Sequence, residues 1–290
     1  MGKDRLIFVG DVHGCADELS ALLTKLSFST TSDHLIFTGD LITKGPESSA
    51  VLSTAMSLGA SSVRGNHEDR VLLSLAHLEE YASPPSQKED KHTRLARDLP
   101  ASQIEYIQSF PVILDVGMIP GLGRVLVVHA GLVPDVPLQK QDPFMCMNMR
   151  SIDLSTHFAS ELRAAPGRRN MNGGLVEWDR VWRYYERKAR EEWEGHTMVI
   201  YGHDSKRGLN LREWSKGLDS GCVNGGTLTA LVVEKVAKDG KGKERAKIWT
   251  ESVQCQSSKK KKGKDSKDRD EDDREISSAE QAWEPRIPGT

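Results

Sequence analysis

The chain has 290 residues, 37% hydrophobic and 28% charged, enough for one large domain or two small ones and too much for a peptide or a staple-dependent miniprotein. No uninterrupted apolar run approaches the roughly 20 residues that a membrane-spanning helix needs. Forty basic against 42 acidic side chains leave a formal charge of -2, so the chain lacks the broad positive field of a duplex nucleic-acid binder, and any attraction for polyanions must be local.

The N-terminus runs straight into an apolar strand without the apolar region of a signal peptide, and Leu6 stands where a myristoylation signal requires Ser or Thr. Arg5 to Val9 is short, apolar and β-branched and ends in Gly10-Asp11; His34 to Thr38 repeats the pattern before Gly39-Asp40. Both predict buried strands. Between them Leu19, Leu22, Leu23 and Leu26 recur at helical spacing, which completes a βαβ unit. A second helix is expected from near Pro46, with Val51, Leu52, Ala55 and Met56 turned inward. A third strand, Ala60 to Val63, leads to Arg64-Gly65-Asn66-His67 and a helix that buries Val71, Leu72 and Leu75. Ser83 to Lys91, with two prolines, reads as a surface loop before a short helix around Ser102 to Ile107. Two strands follow, Val112 to Val116 and Arg124 to Val128, the second ending at His129-Ala130-Gly131. Residues 142–195 lack strand patterning and carry a helical stripe of Trp178, Val181, Trp182, Tyr185 and Ala189, so they read as a helical insertion. Thr197 to Tyr201 is a strand ending in Gly202-His203-Asp204; the glycine-rich stretch Asp219 to Gly226 then leads into Leu228 to Val233, with a last strand at Ala246 to Thr250. Residues 256–290 pass from a lysine run to an acidic run with almost no apolar side chain, the composition of a disordered, solvated tail. Cys15, Cys146, Cys222 and Cys255 are scattered without a CxxC pair, which predicts free thiols in a reducing compartment rather than a disulfide frame or thiolate zinc site.

Five strand ends deliver candidate metal ligands: Asp11 and His13, Asp40, Asn66 beside His67, His129, and His203. One such residue after a strand means little; five in series, each within two residues of a glycine, converge where the carboxyl ends of strands meet in an α/β fold. Carboxylate, amide and imidazole donors without thiolate suit Zn²⁺, Mn²⁺ or Fe and not an all-oxygen Ca²⁺ cage. These side chains are too many for one ion, but they suffice for two ions about 3.5–4 Å apart that share a carboxylate and clamp a phosphoryl group. Asp40, central in chain order, is the natural bridge.

The motifs Gly10-Asp-Val-His-Gly14, Gly39-Asp-Leu-Ile-Thr-Lys-Gly-Pro46, Gly65-Asn-His-Glu68, His129-Ala-Gly131 and Gly202-His203 resemble the calcineurin-like metallophosphoesterases in their phosphoprotein-phosphatase branch, over roughly residues 5–235. The resemblance implies an α/β fold, a two-sheet sandwich flanked by helices with the helical insertion at 142–195, and a catalytic domain over residues 1–255 ahead of the tail. It implies two divalent metal ions, one on Asp11, His13 and Asp40, the other on Asp40, Asn66, His129 and His203. His67 would protonate the leaving oxygen, Arg64 would face phosphate, and Asp219 to Gly226 would be scaffold. Protein phosphatases of this branch carry Asp-Arg in the second motif, where this chain has Thr43-Lys44. Lysine loses arginine's bidentate fork and threonine cannot hold an imidazolium as a carboxylate does. The Lys44 and Gly-Pro pattern is similar instead to the diadenosine tetraphosphatase-like group, which includes fungal zinc-dependent endopolyphosphatases, and Asp204 fits that group as a partner of a metal-bound histidine.

That resemblance implies hydrolysis of phosphoanhydride bonds in inorganic polyphosphate or a dinucleoside polyphosphate by in-line attack of a metal-bridging hydroxide, with Lys44, Arg64, Lys206 and Arg207 neutralising phosphate oxygens and Arg70, Arg168 and Arg169 adding local positive charge. The alternative is a Ser/Thr protein phosphatase, with a phosphoprotein as its partner. A non-catalytic scaffold would have lost metal ligands, and none is lost. Neither duplex nucleic acid nor a membrane is expected as a partner; the compartment expected is the cytoplasm, with the vacuole as the alternative that the fungal resemblance suggests.

Overall fold

The computed structural model describes residues 3–81, 89–164, 174–192, 195–236 and 245–257. Arg168, Arg169 and all of the expected tail but residues 256 and 257 lie outside them. The first half of the chain forms β1 (Arg5–Val9), α1 (Ala16–Lys25), β2 (Asp33–Phe37), α2 (Ser48–Ser57), β3 (Ser61–Ser62), α3 (Asn66–Tyr81), α4 (Lys91–Asp98), α5 (Ala101–Gln108), β4 (Ile113–Ile119) and β5 (Gly123–Val128). Then come α6 (Pro143–Asn148), β6 (Ser151–Asp153), β7 (Ala159–Ser160), β8 (Leu175–Glu177), α7 (Trp178–Glu192) and β9 (Thr197–Tyr201). The described part closes with β10 (Asn210–Leu211), β11 (Ser215–Gly217), β12 (Thr227–Val236) and β13 (Arg245–Gln254).

Two five-stranded sheets, ordered β13-β12-β1-β2-β3 and β10-β11-β9-β5-β4, form the expected sandwich. Strict alternation builds it. On β1, Ile7 and Val9 face the helical side with Leu19, Leu22 and Leu52, while Phe8 faces the other sheet; on β5, Val125 and Val127 meet Phe8 and Ile36 between the sheets, while Leu126 and Val128 face Trp178 and Val181. Strands buried on both faces need apolar side chains at every position, which is why these segments read as continuous apolar runs. β1, β2 and β3 run parallel, as do β5 and β9, so five carboxyl ends are available to hold a site.

Three expectations need correction. The insertion is not purely helical: β7-β6-β8 form a third, three-stranded sheet beside α6 and α7. Its strands are two or three residues long, too short to display alternation. The segment between the expected loop and the helix near Ser102 also contains α4, which buries His92 and Ala96, half-buries Leu95 and is otherwise polar, too few apolar positions to announce a helix. Finally, Cys222 and Cys255 form a disulfide across 33 residues, against the expectation of free thiols; only Cys15 and Cys146 are free. A pairing made by tertiary proximity leaves no short spacing to read. Among the described residues no helix is long and apolar enough to cross a membrane.

Candidate metal centre

Each expected ligand leaves its strand at once. Asp11 and His13 follow β1, Asp40 follows β2, Asn66 opens α3 after β3, His129 follows β5 and His203 follows β9. The departures are sharp enough that His13, Asp40 and His203 adopt φ of 48°, 53° and 71°, and Thr43 and Lys44 adopt 68° and 59°. Side chains other than glycine rarely occupy that region, and such strain persists where surrounding structure enforces it, typically at functional sites. Glu68, fully buried, supplies much of the enforcement: one carboxylate oxygen accepts from the backbone N–H of Asp40 (2.8 Å) and Gly65 (2.9 Å), the other from Leu41 (2.8 Å).

One oxygen of Asp40 lies at the centre. Its Oδ2 is 3.5 Å from His13 Nε2, 3.4 Å from His129 Nε2 and 3.9 Å from His67 Nε2. The ligand atoms form two groups, His13, Asp40 and His67, and Asp11, Asp40 and His129, each with all atoms within 4.8 Å of one another and Asp40 common to both. Asn66 Oδ1 is 3.0 Å from His129 Nε2. The His203 backbone N–H donates to both Asp11 oxygens, at 3.1 and 3.2 Å, and its ring packs edge-on against His129. All these side chains except that of His203, at the crevice edge, are classed as buried.

The imidazoles are oriented by backbone carbonyls, which can only accept. His13 Nδ1–H donates to Ile42 O at 3.1 Å, His129 Nδ1–H to Thr38 O at 2.8 Å, and His203 Nε2–H to Asn148 O at 3.1 Å. Each ring so anchored has only its other nitrogen left to offer a metal, the arrangement in which histidine ligates. Burial, with Lys44 adding to it, pushes His13 down to about 3, and burial holds His203 well below the ordinary imidazole range, so these two rings are neutral, as ligation requires.

The charge balance points the same way. Burial, reinforced by Asp219, drives the Asp11 carboxyl well above its usual range. For His129 burial opposes the charge, yet Asp40 and Asp11 outweigh it and push the ring up to about 10. A pocket of carboxylates, an amide oxygen and imidazole lone pairs that raises a buried histidine in this way favours positive charge, and its oxygen and nitrogen donors fit divalent ions. Cys15, Glu18 and Cys222 also cluster, but the Cys222 sulfur is committed to its disulfide.

Residues 4–207 match the calcineurin-like phosphoesterase family. The chain belongs to that family. As a calcineurin-like phosphoesterase it is a metal-dependent hydrolase of phosphate esters or anhydrides. It is 30% identical over 267 residues to the zinc-dependent endopolyphosphatase of Saccharomyces cerevisiae, covering 81% of this chain and 77% of that one. It is 28% identical over 263 residues to the symmetrical bis(5'-nucleosyl)-tetraphosphatase of an Acidovorax species, covering 78% and 91%. A crystal structure provisionally ascribed to a diadenosine tetraphosphatase superposes with a TM-score of 0.63 at 32% identity, covering 88% of this chain and 95% of that one.

Lys44 Nζ lies 3.0 Å from His13 Nε2, beside the cluster. Arg64 is placed differently: its guanidinium donates to Gln108 O at 3.0 Å and lies 3.7 Å from Asp69. Arg207 makes a two-pronged pair with buried Asp179, both contacts at 3.0 Å, and is structural. Asp204, considered as a partner of His203, instead pairs with Arg163 at 2.6 Å. Glu68 and His92 carry no role in the sequence alone, and Asp219 reads there only as scaffold. Glu68 carries a usable signal, as an acid in the first turn of the helix that opens with Asn66-His67. Asp219, buried beside Asp11, is announced only by its glycine-rich neighbourhood.

Proposed function

We propose that this phosphoesterase cleaves phosphoanhydride bonds, in inorganic polyphosphate or a dinucleoside polyphosphate, with two divalent ions of Zn, Mn or Fe. Asp11, His13 and Asp40 would hold one ion, and Asp40, Asn66, His129 and His203 the other. Bound there, the ions supply Lewis acidity to the phosphoryl oxygens and acidify the attacking water. The chain's own groups do the rest. Lys44 Nζ, 3.0 Å from His13 Nε2, stands beside the ligands, where its ammonium would meet a non-bridging phosphate oxygen. With Arg64 held by Gln108 and Asp69, Lys44 is the favoured phosphate contact. His67 faces Asp40 through Nε2 and delivers its proton to the leaving oxygen.

The observation that carries this reading is what holds His67. Its Nδ1 meets the Thr43 hydroxyl at 2.8 Å and His92 at 3.0 Å, at the position where the second motif of protein phosphatases supplies a carboxylate. Threonine and imidazole support the proton-bearing imidazolium less than a carboxylate does; a phosphate leaving group needs little acid, whereas a serine alkoxide needs much. The relatives that act on polyphosphate and on dinucleoside tetraphosphate support the same class. Protein loaded with Zn²⁺ or Mn²⁺ should turn over polyphosphate or diadenosine tetraphosphate with higher kcat/KM than a phosphopeptide. A phosphopeptide preferred over both would reassign the protein as a Ser/Thr phosphatase.

A further inference from the structure

Where the second motif offers His67 only a threonine, α4 brings another group from outside every motif. His92, at the start of α4 and buried, places Nε2 3.0 Å from His67 Nδ1, and the two rings stack with centroids 5.2 Å apart. On the far side, His92 Nδ1 lies 3.3 Å from Asp90 Oδ1. Asp90 is itself fixed as the N-cap of α4: Oδ1 accepts from the backbone N–H of His92 at 2.8 Å and of Thr93 at 3.2 Å, and Oδ2 from the Thr93 hydroxyl at 2.6 Å.

This order of groups has a direction. A carboxylate can only accept, so the His92 ring turns Nδ1–H toward Asp90, and its Nε2 is left as a lone pair facing His67. Nδ1 of His67 therefore keeps its hydrogen, and the ring's other edge, Nε2, is the one directed at the cluster, 3.9 Å from Asp40 Oδ2. After Nε2 gives a proton to a leaving oxygen, the tautomer that remains is the Nδ1–H form, from which His92 accepts. The Thr43 hydroxyl can donate or accept and does not choose between tautomers; His92, backed by a carboxylate, does.

We propose that His92, oriented by Asp90, is the positioning residue for His67, fixing its tautomer through a helix cap and a second imidazole without bringing a carboxylate's charge onto the ring as the second motif of protein phosphatases does. This rests on the reading of His67 as general acid.

The test uses the metal-loaded enzyme on phosphate monoesters of graded leaving-group acidity, from p-nitrophenyl through phenyl to an alkyl phosphate. His67→Ala should lose about 10²–10⁴ in kcat on the alkyl ester and much less on p-nitrophenyl phosphate. His92→Ala should show the same slope at smaller size, about tenfold on the alkyl ester, with little change in KM. The double variant should be no slower than His67→Ala alone, and His92→Gln, which restores an acceptor, should recover part of the loss. Should His92→Ala not fold, His92→Gln against His92→Met, similar in length with and without an acceptor, makes the same comparison. Equal losses across the series, a loss confined to KM, or multiplicative losses in the double variant would overturn the role of His92. A His67→Ala variant insensitive to the leaving group would remove the general acid itself, and the proposal with it.

Discussion

Gly65 and Gly202 show why the ligand motifs carry glycine. A Cβ on Gly65 would stand 2.2 Å from Asp40 Oδ1, and one on Gly202 would stand 2.0 Å from Asp11 Oδ1. The carboxylates rest directly on the opposite strand's backbone, so any side chain there displaces a ligand. Gly202→Ala should therefore weaken metal binding at least tenfold, comparable to losing a supporting partner of a metal ligand. Asp40→Asn should cost more activity and bound metal than His203→Ala, because Asp40 belongs to both ligand groups. Metal content per chain after dialysis checks both; a fully active Asp40→Asn would sink the shared-ligand reading. At this scale most of the site was legible: Asp11, His13, Asp40, Asn66, His129 and His203 are all at the crevice because local rules, a strand run into a glycine turn, put them there. His92 was not legible, because the ring it meets in the site, His67, lies 25 residues away and nothing local marks the contact.

Elements are pinned where they enter the sandwich. Arg5 at the start of β1 donates to both oxygens of buried Asp33 at the start of β2, at 2.8 and 2.6 Å, and Asp33 also accepts from the Ser29 N–H at 2.8 Å. Burial raises the Asp33 carboxyl, but these donors outweigh it and hold it below the usual range. A carboxylate depressed in the fold contributes stability above its unfolded pKa of about 3.9 and loses it as pH falls through the folded value. Asp33→Asn should thus cost about 1.5–3 kcal/mol at pH 7. Denaturant titrations should show that gap closing toward acid pH; a gap constant with pH would contradict the argument. The disulfide pins a different join, tying the turn after Asp219 to the end of β13. Cys222→Ser under oxidising conditions should lower stability by roughly 2–4 kcal/mol. Calorimetry with and without reductant checks it, since wild type should fall to the variant's Tm only when reduced. The pairing also removes the ground on which cysteine spacing suggested a reducing compartment.

Over the whole molecule the formal charge is -2, yet the proposed substrates are polyanions. Capture must then depend on charge focused at the crevice, where Lys44 faces the cluster. Contacts beyond the metal centre are screened within about 8 Å at 0.15 M salt. Raising salt to that level should increase KM for long polyphosphate markedly more than for a small monoester; the same salt dependence for both would argue against an extended anionic substrate.

The sequence by itself determined the strands, the ligand-bearing turns and the family, because apolar runs, glycine turns and donor types act over a few residues. It also exposed the Thr43-Lys44 departure on which the substrate class turns. Only the tertiary structure decided which carboxylate oxygen the histidines share, that Arg64 and Arg207 are held by protein partners, and that Cys222 meets Cys255. It alone revealed the third sheet and the approach of α4 to His67. These are contacts between segments far apart in the chain. They depend on how faces pack, and short strands and isolated buried polar groups leave no periodic trace to read.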